Sequence, residues 1–83
     1  MTPPDYDVRE FIESVELWAS RDFGVHADRP RDGATPLCAR RGRTARVPDD
    51  YEGQATLIAV AFDGTRLARW PVTVRPGETV SVA

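Results

Sequence analysis

Cysteine is almost absent from this chain, and lysine is missing altogether. The 83 residues include one cysteine, Cys38, so the sequence excludes an internal disulfide and a paired cysteine zinc site. No apolar run approaches the roughly 18 residues that a membrane-spanning helix needs, and the first residues lack the basic and apolar regions of a signal peptide. We therefore expect a cytoplasmic protein that does not enter a membrane.

All eleven basic residues are arginine, beside many alanines, glycines, prolines and aspartates. Codon bias in a GC-rich genome produces this composition, so arginine content alone does not indicate a function. Hydrophobic residues make up 41% of the chain and charged residues 29%, which is typical of a folded protein. Because a chain of this length builds one core, we expect residues 1–83 to form a single domain.

The N-terminal region has the spacing of an amphipathic helix. Apolar residues recur at helical intervals over residues 8–18, and Asp7 and Glu10 have the spacing of a capping box. This spacing predicts a helix over about residues 8–22, with one flank turned away from the apolar stripe. The predicted exposed flank consists of Glu10, Glu13, Glu16 and Leu17.

Turn-forming residues dominate 25–50, where only short strands fit. We place one strand near 35–40 and another near 43–47, with Gly42 at the turn between them. The region 55–82 has three runs rich in apolar and β-branched residues, separated by an Asp-Gly turn and a Pro-Gly turn, which predicts a three-stranded antiparallel meander.

Together these patterns predict an α+β, mostly β fold. The N-terminal amphipathic helix is expected to pack on a small antiparallel sheet or β-sandwich that ends in the meander. Large aromatic side chains contribute most to a small core. We expect Trp18, Phe62 and Trp70 to be buried there, and Cys38 to point inward from a short strand.

Residues 32–82 resemble the PEGA-type and carboxypeptidase-regulatory-like β-sandwich repeats. The similar pieces are DGATPL, VPDDYEGQATLIAVAFDG and PVTVRPGETVSV. The chain departs from the family pattern in the arginine-rich stretch LCARRGRTAR, and in Asp49 and Asp50, which replace the expected Pro-Gly. The resemblance implies a non-catalytic binding or structural module and transfers no active-site residues.

Motifs for catalysis, cofactors or metals are weak. The triplet DFG at residues 22–24 has the letters of the kinase metal-binding motif, but the chain is too short for the rest of a kinase. His26 and Asp28 lack the regular spacing of metal ligands. A His26–Cys38 nucleophile pair would need an orienting group that no local motif supplies. The sequence therefore predicts no enzyme, no cofactor and no metal site.

Charge is unevenly distributed along the chain. Residues 1–20 carry one arginine and five acidic residues, whereas 21–48 carry seven arginines and three aspartates. One interpretation of the basic middle is a solvated turn that codon bias has enriched in arginine. As a functional interpretation, the segregation favours a protein-interaction or assembly module in which the basic middle of one subunit meets the acidic helix flank of another. The predicted basic surface consists of Arg40, Arg41, Arg43 and Arg46.

Several functions are left open by the sequence. The interaction module would be either an accessory subunit of a larger complex or a self-associating structural protein, such as a phage or particle component. The first alternative is a nucleic-acid-binding protein that uses an arginine-rich hairpin at 40–46 to contact phosphates. A net charge of -2 and the absence of aromatic residues over 27–50 weigh against it. The second alternative is a small regulatory subunit of an enzyme complex.

Overall fold

The computed structural model describes residues 8–82, with side chains from residue 10 onwards. A short 3-10 turn, Val8–Phe11, precedes six β-strands. The strands are β1 (Ile12–Ala19), β2 (Cys38–Arg41), β3 (Thr44–Arg46), β4 (Gly53–Ala61), β5 (Arg66–Val74) and β6 (Thr79–Ser81). Within these residues no helix has the length and apolar character needed to cross a membrane.

The strands form two antiparallel sheets. A four-stranded sheet has the order β2-β1-β4-β5, and a two-stranded sheet pairs β3 with β6. The structure is therefore antiparallel and mostly β, and the predicted α+β class is wrong, because the helical content of the described residues is a single four-residue 3-10 turn. In the four-stranded sheet, β1 and β4 are the central strands, and β2 and β5 are the edges.

The predicted N-terminal helix over residues 8–22 is wrong, because most of this region is the central strand β1. Val15, Leu17 and Ala19 alternate along β1 and are 0%, 0% and 1% exposed. Antiparallel partners on both sides of β1 replace the hydrogen bonds that a helix would make internally. Leu17 is thus a core residue, and its predicted exposure is also wrong. Asp7 of the predicted capping box lies outside the described residues.

Apolar side chains cover both faces of the four-stranded sheet. On one face, Leu17, Leu57 and Val74 pack between the two sheets against residues such as Ala45 and Val82. On the other face, Trp18, Ile58 and Val60 pack under Phe23, which the long loop between β1 and β2 carries. We call the layer between the two sheets the first apolar layer; it joins the sheets. We call the layer on the opposite face the second apolar layer; it anchors the loop.

The three aromatic residues predicted to be buried differ in position. Trp18 is 4% exposed, which confirms its prediction. Trp70 is partly buried and packs at the margin of the layer between the sheets, as does Cys38. The prediction for Phe62 is wrong, since this side chain is 84% exposed. β4 ends at Ala61, so Phe62 begins the turn instead of continuing the strand.

All three strands of the predicted meander are present, but only the first of its two hairpins forms. β4 pairs with β5, whereas β6 leaves β5 and pairs with β3. Val47 N donates to Glu78 O at 2.7 Å and Gly77 N donates to Val47 O at 3.1 Å. These hydrogen bonds direct the chain into the second sheet, where Val82 is buried against the first.

Pro71 lies on the edge strand β5, opposite Thr56 of β4. Ala61 N donates to Thr65 O at 2.8 Å, so the odd-numbered residues of β4 turn their amides toward β5. Thr56 and Pro71 therefore form a pair without hydrogen bonds, and the Pro71 nitrogen faces the free edge. This agrees with the rule that proline is tolerated at sheet edges.

Gly77 has a backbone that only glycine adopts without strain, and this yields a first prediction. Its φ is +74°, and an added Cβ would lie 3.3 Å from Asp49 Oδ1. We expect Gly77→Ala to lower the free energy of unfolding by about 1–2 kcal/mol. Gly24→Ala is the matched control, because Gly24 has no positive φ and open space around it. Urea denaturation of both variants tests this, and an equal effect at the two sites would contradict it.

Candidate functional site

The predicted acidic and basic surfaces meet within one chain. Arg41 Nη2 lies 2.7 Å from Glu13 Oε1, and Arg41 Nε donates to the same oxygen at 2.9 Å. The sheet positions this pair, since Gly42 N donates to Glu13 O at 3.0 Å. Glu13 and Arg41 are therefore partners in the same molecule, where the charge pattern had predicted partners in two subunits.

Glu16 is also engaged inside the chain. Its Oε1 accepts hydrogen bonds from Trp18 Nε1 at 3.1 Å and from Arg66 Nε at 3.1 Å. The Glu16 side chain is 21% exposed. Because a half-buried carboxylate with two donors already has its preferred partners, Glu16 is poorly placed to contact another subunit.

The other predicted contact residues are exposed: Glu10, Arg40, Arg43 and Arg46. Arg46 Nη2 lies 3.9 Å from Asp49 Oδ1, which is a loose surface pair. Strands were predicted on either side of Gly42, and both are present as β2 and β3. These two strands belong to different sheets, because β2 pairs with β1 and β3 pairs with β6. Residues 40–46 are thus a connection between sheets, and they lack the paired ribbon that would enter a major groove.

The Glu13–Arg41 pair supports a prediction about stability. The two side chains are 40% and 88% exposed, so we expect a coupling of about 0.2–1 kcal/mol that salt weakens. Charge reversal of either residue should reduce the free energy of unfolding slightly, and the double reversal should restore it. Urea denaturation of the wild type, the two single variants and the double variant, in dilute protein at low and high salt, measures this coupling free energy. A coupling that depends on protein concentration would contradict the intramolecular pairing.

One end of the four-stranded sheet exposes aromatic side chains. Ile12 pairs with Ala61, so Phe11 and Phe62 adjoin this pair at the same end of the sheet. Phe11 is 48% exposed and Phe62 84% exposed. We call Phe11 and Phe62 the aromatic end. Burial of Phe62 was expected from its apolar strand, and the Asp-Gly turn signal immediately after it was the sequence feature that marked it as exposed.

Charged residues of both signs lie at the same end of the sheet as the aromatic end. Glu10 and Asp63 are exposed and adjoin the two phenylalanines in sequence. Arg41 and Arg43 lie near the same end, because Gly42 between them is bonded to Glu13 of β1. The rim around the aromatic end is therefore mixed in charge.

Asp63 holds the turn that presents Phe62. Its Oδ1 accepts a hydrogen bond from Thr65 N at 3.0 Å. The Thr65 backbone donor, followed by its side chain, holds the pKa of Asp63 below its ordinary value. Because the pKa of Asp63 is lowered, its hydrogen bond with Thr65 stabilises the fold at pH values above the ordinary pKa of aspartate. This stabilisation is lost as the pH falls through the pKa that Asp63 has in the folded protein.

An open polar pocket of about 280 Å³ lies on the surface of the long loop, and Ala34 of its lining also packs against the second apolar layer. It is lined by two sequence-adjacent pairs of opposite charge, Arg21 with Asp22 and Arg31 with Asp32. Across residues 10–82, no group of three histidine, cysteine, aspartate or glutamate side chains is placed to hold a metal ion.

Phe23, in the long loop, lies at the centre of a cluster of one tryptophan and two arginines. Its ring is 1% exposed and lies 5.5 Å from the Trp18 ring, in an edge-on arrangement of 64°. The guanidinium carbons of Arg66 and Arg69 lie 5.1 and 5.5 Å from the ring centre. No local motif indicates this cluster, because its members come from β1, β5 and the loop.

Comparison with known proteins adds no identification: no family model matches this chain, and neither a curated protein nor a solved structure does. The resemblance to PEGA-type repeats therefore stays a prediction.

Proposed function

We propose that this protein is a non-catalytic, self-associating interaction module, and that the aromatic end is its contact surface. The observation that carries the proposal is the 84% exposure of Phe62. A large aromatic side chain in water forgoes a substantial hydrophobic gain, and exposed aromatic groups with a polar rim are typical of interaction sites. Phe11 at the same end enlarges the apolar area.

Charge around the aromatic end favours a second copy of the chain as the occupant. Glu10 and Asp63 supply negative charge and Arg43 supplies positive charge, whereas the charge of Arg41 is already paired with Glu13. A two-fold contact places the same surface on both sides, so a rim of one sign would repel itself. A rim of both signs brings acids of one copy toward arginines of the other.

Strand addition at the edge β5 is a less favourable mode of assembly. The Pro71 nitrogen faces the free edge and has no hydrogen to donate. Proline at an edge is a common device against edge-to-edge pairing. Assembly through the end of the sheet does not need the β5 backbone.

The proposal places the protein in the cytoplasm, where a single thiol such as Cys38 stays reduced. Through this contact the chain would act either as an accessory subunit of a larger complex or as a structural particle component. The role of a small regulatory subunit would use the same surface with another chain. Nucleic acid is a competing occupant, since bases also stack on exposed aromatic groups near arginines.

The test is light scattering coupled to size-exclusion chromatography over a wide concentration range, with absorbance recorded for protein and nucleic acid. We expect the apparent mass of the wild type to rise toward a dimer with concentration. Phe62→Ser should weaken dimerisation at least tenfold without changing the melting temperature. Ala39→Ser is the matched control, because Ala39 is also exposed but lies on β2 away from the aromatic end.

Two results would overturn the proposal. One is a wild-type chain that stays monomeric at every concentration. The other is association that Phe62→Ser leaves unchanged, since the contact would then lie elsewhere. Co-purifying nucleic acid that salt removes, and that Phe62→Ser no longer binds, would replace self-association with the nucleic-acid function.

A further inference from the structure

Two arginines share one aromatic ring on the loop-covered face of the sheet. Arg66 and Arg69 of β5 pair with Val60 and Ile58, both of which belong to the second apolar layer. Their guanidinium groups lie 5.1 and 5.5 Å from the centre of the Phe23 ring. The sheet and the loop thus hold two positive charges close together.

Only one of these two charges has a carboxylate partner. Arg66 Nε donates to Glu16 Oε1 at 3.1 Å, in a pair whose side chains are 30% and 21% exposed. Within the described residues, no carboxylate oxygen lies within 4.0 Å of the Arg69 guanidinium. The cluster therefore carries an excess positive charge in a partly buried place.

Arg69 also has an unsatisfied donor. Its Nε is buried and has no hydrogen-bond acceptor, although the residue as a whole is partly exposed. Contact with the Phe23 ring favours the cation but accepts none of its in-plane N–H groups. A buried donor without an acceptor is costly, and the cost is greater for a charged group.

An oxyanion would supply the negative charge that this cluster of two arginines and one glutamate lacks. The planar fork of a guanidinium presents parallel donors that match the two oxygens of a carboxylate or a phosphate. We propose that Arg69, assisted by Arg66, forms a binding site for an oxyanion beside the Phe23 ring. The ligand class is a phosphate or carboxylate group, and the site is separate from the aromatic end.

The competing explanation is that both arginines serve only to cover Phe23. In that case Arg69 would contribute packing and cation–π attraction, and added anions would act only through screening and general exclusion from the protein surface, neither of which saturates or depends on Arg69. The two explanations differ in whether the stabilisation by an anion saturates with concentration and whether it requires Arg69.

The experiment is thermal unfolding of the full chain at neutral pH in chloride, acetate and inorganic phosphate at matched ionic strength. A ligand that binds the folded state raises the melting temperature as its concentration increases. We expect a saturable rise with phosphate, acetate or both that chloride does not produce. A response to phosphate alone identifies a phosphate ligand, and an equal response to acetate identifies a carboxylate; both support the site.

Two variants test whether Arg69 is responsible for the rise in melting temperature. Arg69→Gln should weaken the apparent affinity at least tenfold, whereas Arg40→Gln, with the same change of charge on the exposed part of β2, should leave it unchanged. If Arg69→Gln does not fold, NMR of the wild type replaces it: phosphate or acetate should shift the Arg69 Nε–H and Trp18 indole signals. Equal behaviour in all three salts, an equal response of both variants, or unshifted signals would overturn the proposal.

Discussion

Leu17→Ala should lower the free energy of unfolding by about 3–5 kcal/mol, because it removes a fully buried side chain from a central strand. Leu17 is 0% exposed and lies opposite Leu57 in the register of β1 and β4. The cavity would open between the two sheets, where Ala45 and Val82 close the layer. A stability of about 5–15 kcal/mol is usual for domains, so this is a large fraction of the total. Chemical denaturation monitored by tryptophan fluorescence measures the loss.

Phe62→Ala is the matched control for Leu17→Ala. It removes a larger apolar side chain, but this side chain is 84% exposed. We expect the free energy of unfolding to change by about 0.5 kcal/mol or less in dilute protein. The sequence pattern alone predicts the reverse order, with Phe62 in the core and Leu17 on the surface. A larger loss for Phe62→Ala than for Leu17→Ala would therefore refute the strand assignment of β1.

Phe23→Ala should lower the free energy of unfolding by about 3–5 kcal/mol, in the range for buried aromatic residues. Phe23 is 1% exposed and is the largest of the loop side chains in the second apolar layer, beside Ala27 and Ala34. Its loss removes the edge-on contact with Trp18 and the ring beneath Arg66 and Arg69. Denaturation measures the global loss, and amide hydrogen exchange should show the loop between β1 and β2 losing protection first.

His26→Ala is the control in the same loop, because His26 is exposed. We expect its free energy of unfolding to remain within about 0.5 kcal/mol of the wild type. If Phe23→Ala lowered the free energy of unfolding no more than His26→Ala does, Phe23 would not be the residue that holds the loop against the sheet. If Phe23→Ala destabilised the sheet and the loop equally, the second layer would belong to one cooperative unit with the first.

The strands of the C-terminal third could be predicted because their signals are local. β4 and β5 are rich in β-branched residues and are separated by an Asp-Gly turn, which specifies a hairpin from neighbouring residues alone. β6 has the same local signal, and its strand was predicted within one residue. Its pairing with β3 depends on residues more than thirty positions away, which no local pattern records.

β1 shows how a local pattern misleads. Its apolar residues match a helical period at some positions and a strand period at others, so the pattern by itself is ambiguous. The alternation of Val15, Leu17 and Ala19 was the strand signal, and the helical interpretation had to treat Leu17 as an exposed exception. Pairing with both β2 and β4 decides the conformation, and this pairing is tertiary.

The candidate sites depend on tertiary structure even more strongly. Charge segregation along the chain was evident from the sequence, yet it could not show that Glu13 and Arg41 belong to one molecule. Likewise, Phe11 and Phe62 are distant in sequence and reach one end of the sheet only because Ile12 pairs with Ala61.

The sequence by itself determined the hairpin of β4 and β5 and the absence of an internal disulfide, because composition and short-range turn chemistry are sufficient for these features. Only the tertiary structure decided that β1 is a strand, that β6 changes sheet, and that Arg66 and Arg69 share the ring of Phe23. The physical reason is that a strand obtains its hydrogen bonds and its buried face from distant partners, so neighbouring residues alone cannot specify either.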